Sequence, residues 1–275
     1  MFNLHQDQAA GLRRLMASPA PRVVSILSAA ATQDKSRLMT NLAASMSAQG
    51  NKTLIVQASK ESSEAFYGIQ ALPTLLDIAG NKQAPMTQAI HASQYGFSVA
   101  KLMQKSQLDQ PLSNQASQHL NKVFSELVGE YEILLVDASI NQAHLLPLSR
   151  LNEGEIIIQL TRKAESIKDA YTLIKKIYNQ LGRRSFGIIV DDATDQQAQV
   201  VFNNISSVAR RYMQIDLEFF GAIPSDDYLR KATQLGRAVV DAFPLATAST
   251  AYKKMALKLD HKPEAMQPFK QAAFI

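Results

Sequence analysis

At 275 residues, with 46% of positions apolar, the chain is long enough to bury a full core, and its length suits one large domain better than two separated ones. It has no cysteine and only five scattered histidines, which excludes a disulfide framework, a thiolate metal site and a zinc-type metalloenzyme. A formal charge of +5 mildly favours an anionic partner, whether nucleic acid, lipid headgroups or an acidic protein face; the plainer alternative is that it serves solubility.

In the first sixteen residues, Leu4, Leu12, Leu15 and Met16 recur with Ala9 at near-helical spacing among charged and amide residues, and Ala17-Ser18-Pro19-Ala20-Pro21 breaks the pattern. The expected organisation is an amphipathic docking helix over 1–16, a proline-containing tether over 17–21, an α/β domain over 22–261 and a tail over 262–275. The N-terminus lacks the continuous apolar stretch of a signal peptide. No later segment approaches the roughly 20 apolar residues of a membrane span, so a cytoplasmic protein is expected.

Apolar runs of strand length follow at 23–27, 53–56, 97–100, 133–136, 156–160, 186–190 and 217–222. Most are nearly continuous rather than alternating, as strands buried on both faces require. Helical patterns separate most of them, at 36–49, 114–129, 166–181 and 195–212, while proline-containing patches at 71–74 and 83–86 read as turns. Strand alternating with helix predicts right-handed crossovers and an α/β fold, a mainly parallel twisted sheet with helices on both faces. In such a sheet ligands bind at the carboxyl ends of the strands, which directs attention to the first strand-to-helix segment, residues 28–36.

That segment, Ser28-Ala29-Ala30-Ala31-Thr32-Gln33-Asp34-Lys35-Ser36, and the following Asn41-Leu42-Ala43 resemble the opening of the MinD/ParA-type P-loop ATPases. Their loop has the form Lys-Gly-Gly-x-Gly-Lys-Ser/Thr. Lys35 and Ser36 match it. Ala30 replaces the signature lysine, and Ala31, Thr32 and Asp34 replace the glycines. A phosphate cradle needs glycine because its converging backbone N–H groups require φ > 0, and Asp34 sets a carboxylate where the resemblance would place the β-phosphate. The second strand runs into Gln57-Ala58-Ser59 where the family has Asp-x-Asp. Asp137 keeps the Walker B-like acid at the end of a later strand, and Asp191 replaces the family's adenine-holding asparagine.

On this resemblance Lys35, Ser36 and Asp137 are the vestige of a nucleotide and magnesium site. No catalytic residue, metal or cofactor is expected, with ATP and Mg²⁺ retained only if the altered loop still binds them. The residues alone also admit a plainer reading. Thr32 or Asp34 would cap the next helix, Lys35 and Ser36 would face solvent on its first turn, and Asp137 would be a strand-end carboxylate in a turn.

The resemblance is closest to the flagellar-number regulators of this family, FlhG, also called FleN or YlxH. Their N-terminal Asp-Gln-Ala-x-x-Leu-Arg motif is matched by Asp7-Gln8-Ala9-Ala10-Gly11-Leu12-Arg13. Residues 73–79, 161–171, 208–212 and 220–227 resemble further family segments. The resemblance implies that the N-terminal helix, through Asp7, Gln8, Ala9, Leu12 and Arg13, docks on FlhF, a GTPase of the signal-recognition-particle type, and stimulates it. It also implies a flagellar transcriptional activator or basal-body component as partner, and a place in the cytoplasm or at the inner face of the membrane or cell pole. Residues 252–259 have the pattern of an amphipathic helix, and the short tail carries little basic charge, so weak or no membrane contact is expected.

Three functions follow as expectations. The first is an FlhG-like regulator unable to hydrolyse ATP. The second is a working MinD/FleN-type ATPase that uses Lys35, Ser36 and Asp137. The third is a ParA-like nonspecific DNA binder using Arg183, Arg184, Arg210 and Arg211, without sequence-specific nucleic-acid contacts.

Overall fold

The computed structural model describes residues 21–61, 64–81 and 83–260, with the backbone alone at residue 32. The 1–16 motif, all but the last residue of the tether and the 262–275 tail lie outside the described residues.

The elements run β1 (Arg22–Ser28), α1 (Thr32–Ala48), β2 (Thr53–Ala58), α2 (Glu64–Tyr67), α3 (Leu75–Gly80), β3 (Ile90–Ala92), β4 (Ser98–Lys101), α4 (Asn114–Glu130), β5 (Ile133–Ala138), β6 (Glu155–Thr161), α5 (Ala164–Leu181), β7 (Phe186–Asp191), α6 (Asp195–Met213), β8 (Leu217–Ile223), α7 (Asp227–Gln234), α8 (Val239–Ala242) and α9 (Thr247–Asp260), with short 3-10 turns between some of them. The strands form one sheet in the order β3-β4-β2-β5-β1-β6-β7-β8. Every pairing is parallel except β3 with β4. β2, β5 and β7 are buried along their whole length, the physical reason their sequences are nearly continuous apolar runs.

Two cores sandwich the sheet. On one face Leu75, Leu120, Phe124, Ile174 and Ile205 pack from α3 to α6. On the other, Leu38, Leu42 and Met46 of α1 pack with Tyr252 and Met255 of α9. The α/β architecture expected from the alternation is therefore the one observed, and all seven anticipated strands are present. β3 was not expected: it is only three residues long, mostly exposed, and held by an antiparallel edge pairing, too short to show a period.

Two expectations are corrected by the packing. α1 begins at Thr32, four residues before the predicted start, because without glycine the segment enters the helix at once. The 252–259 stretch is not a free amphipathic helix. It lies within α9, and Tyr252, Met255, Ala256 and Leu259 are buried against the domain, so its apolar face is consumed by the core.

β1 sits between β5 and β6, and the strand order departs in opposite directions on its two sides. Its carboxyl end is thus the topological switch point, where an open α/β sheet leaves a crevice. The start of α1 lies directly over it.

Candidate functional site at the carboxyl end of the sheet

Only residues 29–31 separate β1 from α1. Ala31 is the N-cap, with extended geometry (φ −63°, ψ 151°) and no side-chain cap, and its carbonyl accepts from the backbone N–H groups of Asp34 at 2.9 Å and Lys35 at 3.3 Å. Outside glycine, positive φ among the described residues occurs at His144, Asp192 and Gln214, not in this loop. Thr32, Gln33 and Asp34, which the resemblance assigns to a phosphate loop, are thus the first turn of a helix. The expectation that Thr32 or Asp34 caps α1 is corrected, since the cap is Ala31 and Asp34 instead pairs with Arg37 at 2.9 Å.

The solvent-facing placement of Lys35 is corrected too. Lys35 is 3% exposed, its Nζ donates to the Ala138 carbonyl at 2.7 Å, and it forms an ion pair with Asp137. Asp137 is equally buried, a paired strand-end acid rather than a turn residue. Ser36 is partly buried, and its carbonyl accepts from the Thr40 hydroxyl at 2.9 Å. Lysine and aspartate reach each other because α1 packs across the face onto which every second side chain of β5 projects.

In the ladder Asp137 is the register partner of Gln57 on β2, and Gln57 that of Lys101 on β4, so these side chains share one face. Gln57, Ser59 and Lys101 are all buried. Lys101 donates to the Gln70 carbonyl at 2.9 Å and lies 3.6 Å from Glu64. From α2, the Tyr67 hydroxyl meets that of Thr40 at 2.9 Å. Burial pushes this phenol up from its ordinary pKa and the Asp137 charge adds to the shift, while the Thr40 hydrogen bond opposes it. Tyr67 therefore stays a neutral, buried neighbour of Asp137.

A second cluster lies across β1. The Ser28 hydroxyl donates to Gln159 Oε1 at 3.1 Å and accepts from the Ala30 N–H at 3.0 Å. Gln159 Nε2 donates to Asp191 Oδ2 at 2.9 Å, and the same oxygen accepts from Arg37 Nη2 at 3.1 Å. The Asp192 N–H, in a left-handed residue (φ 54°), donates to the other Asp191 oxygen at 2.9 Å. Burial raises the Asp191 pKa, and Arg37, the Asp192 N–H and Gln159 offset part of that shift. Burial also works against the Arg37 charge, but Asp191, Tyr252 and Asp34 outweigh it and lift its pKa. The Ser166 hydroxyl closes the cluster by donating to the Ala29 carbonyl at 2.8 Å.

The cations described here are thus engaged by the chain's own carboxylates: Lys35 by Asp137, Arg37 by Asp34 and Asp191, and Lys101 by Glu64 at 3.6 Å. The sequence reading found Lys35, Asp137, Asp34 and Asp191 but missed Arg37, Tyr67, Lys101, Gln159 and Tyr252. Signals existed for three of them. Asp34 and Arg37 stand at helical i, i+3 spacing, Gln159 interrupts an apolar run, and Lys101 ends one. Three of the four arginines considered for a DNA track have partners within the chain. Arg184 donates to the carbonyls of Asn152 and Gly154, Arg210 pairs with Asp216 at 2.9 Å, and Arg211 lies over the Tyr212 ring.

Among the described residues, no group of three or more His, Cys, Asp or Glu is placed to hold a metal ion. No described helix is long and apolar enough to cross a membrane.

No family model matches the chain. Over 237 residues, 85% of this chain and 84% of the other, it is 25% identical to the antiactivator FleN of Pseudomonas aeruginosa. Its fold superposes on that of the septum site-determining protein MinD of Pyrococcus horikoshii, complexed with Mg-ADP, with a TM-score of 0.63 at 20% identity, covering 88% of this chain and 96% of that one. The chain is similar to FleN and has the MinD-type fold. An uncharacterised ATP-binding protein of Methanocaldococcus jannaschii is also 25% identical, over 92% of this chain and 93% of its own.

Proposed function

We propose that the chain is an FlhG/FleN-type regulator of flagellar placement or number that works by binding partners and not by hydrolysing ATP. The observation that carries this reading is the position of Lys35, buried on Asp137 and the Ala138 carbonyl, with the first turn of α1 in the space a phosphate loop would need. A Mg-nucleotide fits these residues poorly. Its phosphates would have to displace Asp34 and draw Lys35 off Asp137, and the acids of the second strand are replaced by Gln57 and Ser59. No catalytic step is assigned to Lys35, Ser36 or Asp137, and no bound cofactor or metal is part of this reading.

The partner is an FlhF-type GTPase, engaged through Asp7, Gln8, Ala9, Leu12 and Arg13 and stimulated by them. A short amphipathic helix on a proline tether suits this role because it can lay one face into a partner's groove. A second partner, a flagellar transcriptional activator, is favoured by the similarity to the antiactivator FleN. The apolar face of α9 is buried in the domain and so is not offered to a membrane; membrane contact is weak or absent in this account. The protein acts in the cytoplasm or at the inner face of the cell pole.

The test is the GTPase rate of an FlhF-type protein with the full chain, with Gln8→Ala and with residues 1–20 deleted. Loss of stimulation in both variants, with an unchanged circular dichroism spectrum, supports the reading; undiminished stimulation contradicts it.

A further inference from the structure

The sheet ends on β3 at one side and on β8 at the other. β3 has three residues, too few to template another strand. β8 has seven, Leu217-Glu218-Phe219-Phe220-Gly221-Ala222-Ile223, with one charged side chain and no proline. Among the described residues β7 is its one ladder partner. A long apolar edge strand offers its remaining backbone groups to a second strand, and in a pure protein the strand at hand is β8 of another copy.

β8 does not present a plain edge. Its ladder to β7 slips by one residue, since Phe219 faces Ile188 and Gly221 faces Ile189, so Phe220 is the extra residue of a bulge. α9 crosses this spot closely: a Cβ on Gly221 would stand 2.8 Å from Met255 Cγ, and only glycine leaves room for the approach. Three residues beyond Met255, on the same side of α9, Lys258 reaches the strand. Its Nζ donates to the Phe219 carbonyl, pairs with Glu218 at 3.2 Å and lies 5.0 Å from the Phe220 ring centre. One ammonium thus engages three consecutive residues of the terminal strand.

We propose that Lys258 guards the β8 edge: steadied by Glu218, it occupies the carbonyl that a second copy of this chain would use, and so keeps two sheets from joining β8 to β8. A strand pairing there would have to break a charged hydrogen bond and bury an ammonium away from water, which costs more than one backbone hydrogen bond returns. The bulge at Phe220 acts in the same direction, because it interrupts the flat run of groups that a partner strand needs. This guard works whatever the crevice binds and whatever the 1–16 segment docks on.

Sedimentation velocity of the full chain over a range of concentrations, with hydrogen exchange of β8 read by mass spectrometry at the same concentrations, tests the guard in four proteins. They are the wild type, Lys258→Met, Lys258→Arg and Glu218→Gln. Methionine keeps the aliphatic stem and removes the donor and the charge; arginine keeps both. Lys258→Met should self-associate at least roughly tenfold more tightly than the wild type, the worth of the charged hydrogen bond removed. Exchange over 217–223 should slow in it as concentration rises, with an unchanged circular dichroism spectrum. Lys258→Arg should sediment as the wild type does. Glu218→Gln should shift association in the Lys258→Met direction by less, and it decides by the same two readings should Lys258→Met fail to fold. Association no tighter than in the wild type, association that leaves 217–223 unprotected, or a wild type that already protects 217–223 by self-association would overturn the guard.

Discussion

Lys35 and Asp137 meet across the crevice, the lysine from the first turn of α1 and the aspartate from the last turn of the β5 ladder, with Nζ also on the Ala138 carbonyl. Each neutralises the other where the resemblance would have them hold phosphate and magnesium. Both are buried, Lys35 at 3% and Asp137 at 4% exposure.

The pair should behave as a buried one. Lys35→Met strands a buried carboxylate and is expected to cost about 3–5 kcal/mol of stability, as is Asp137→Leu from the other side, whereas the double variant should cost clearly less than their sum. Urea denaturation of the four proteins measures this. A Lys35→Met effect within about 0.5 kcal/mol, the range of an ordinary surface substitution, would show that the pair does not form.

Restoring the glycines should not restore nucleotide binding. Ala31→Gly, Thr32→Gly and Asp34→Gly together free the backbone, but they leave Lys35 on Asp137 and Arg37 on Asp191. Glycine at the two helical positions should lower stability by about 1 kcal/mol each. Calorimetry with Mg-ADP should show no micromolar binding; tight binding would mean that backbone stiffness alone had closed the site.

Asp191 makes stability depend on pH with a definite sign. Burial raises its pKa in the folded protein, and Arg37 offsets only part of the shift. A raised carboxyl contributes stability that is fully present below its unfolded value, about 3.9, and that is lost as pH rises through the folded value. The wild type should therefore gain stability relative to Asp191→Asn as pH falls from about 7 toward about 4. Urea midpoints of both proteins across that range check the slope, and a difference that is flat or opposite in sign would contradict the assigned environment.

Much of the fold was legible because burial on both faces writes itself into the chain. The runs at 133–136 and 186–190 are the cores of β5 and β7, and each structure extends them by only one or two residues. β3 left no such mark, since its three residues owe their state to an edge pairing. The crevice was half legible. Lys35, Asp34, Asp137 and Asp191 stood in motif positions, but which charge meets which depends on how α1 crosses the sheet. Tyr67 and Tyr252 enter the crevice from α2 and α9, segments with no motif of their own, and so could be found only in three dimensions. The 252–259 amphipathic pattern was real, but sequence periodicity does not say whether an apolar face meets lipid or the chain's own core.

The most direct measurement is isothermal calorimetry of the full-length protein with ATP and with ADP, each with Mg²⁺. The account predicts no binding heat up to millimolar nucleotide, with Lys35 and Arg37 held by Asp137, Asp34 and Asp191. Micromolar binding of either nucleotide would contradict it and return an ATPase cycle to the centre of this protein's function.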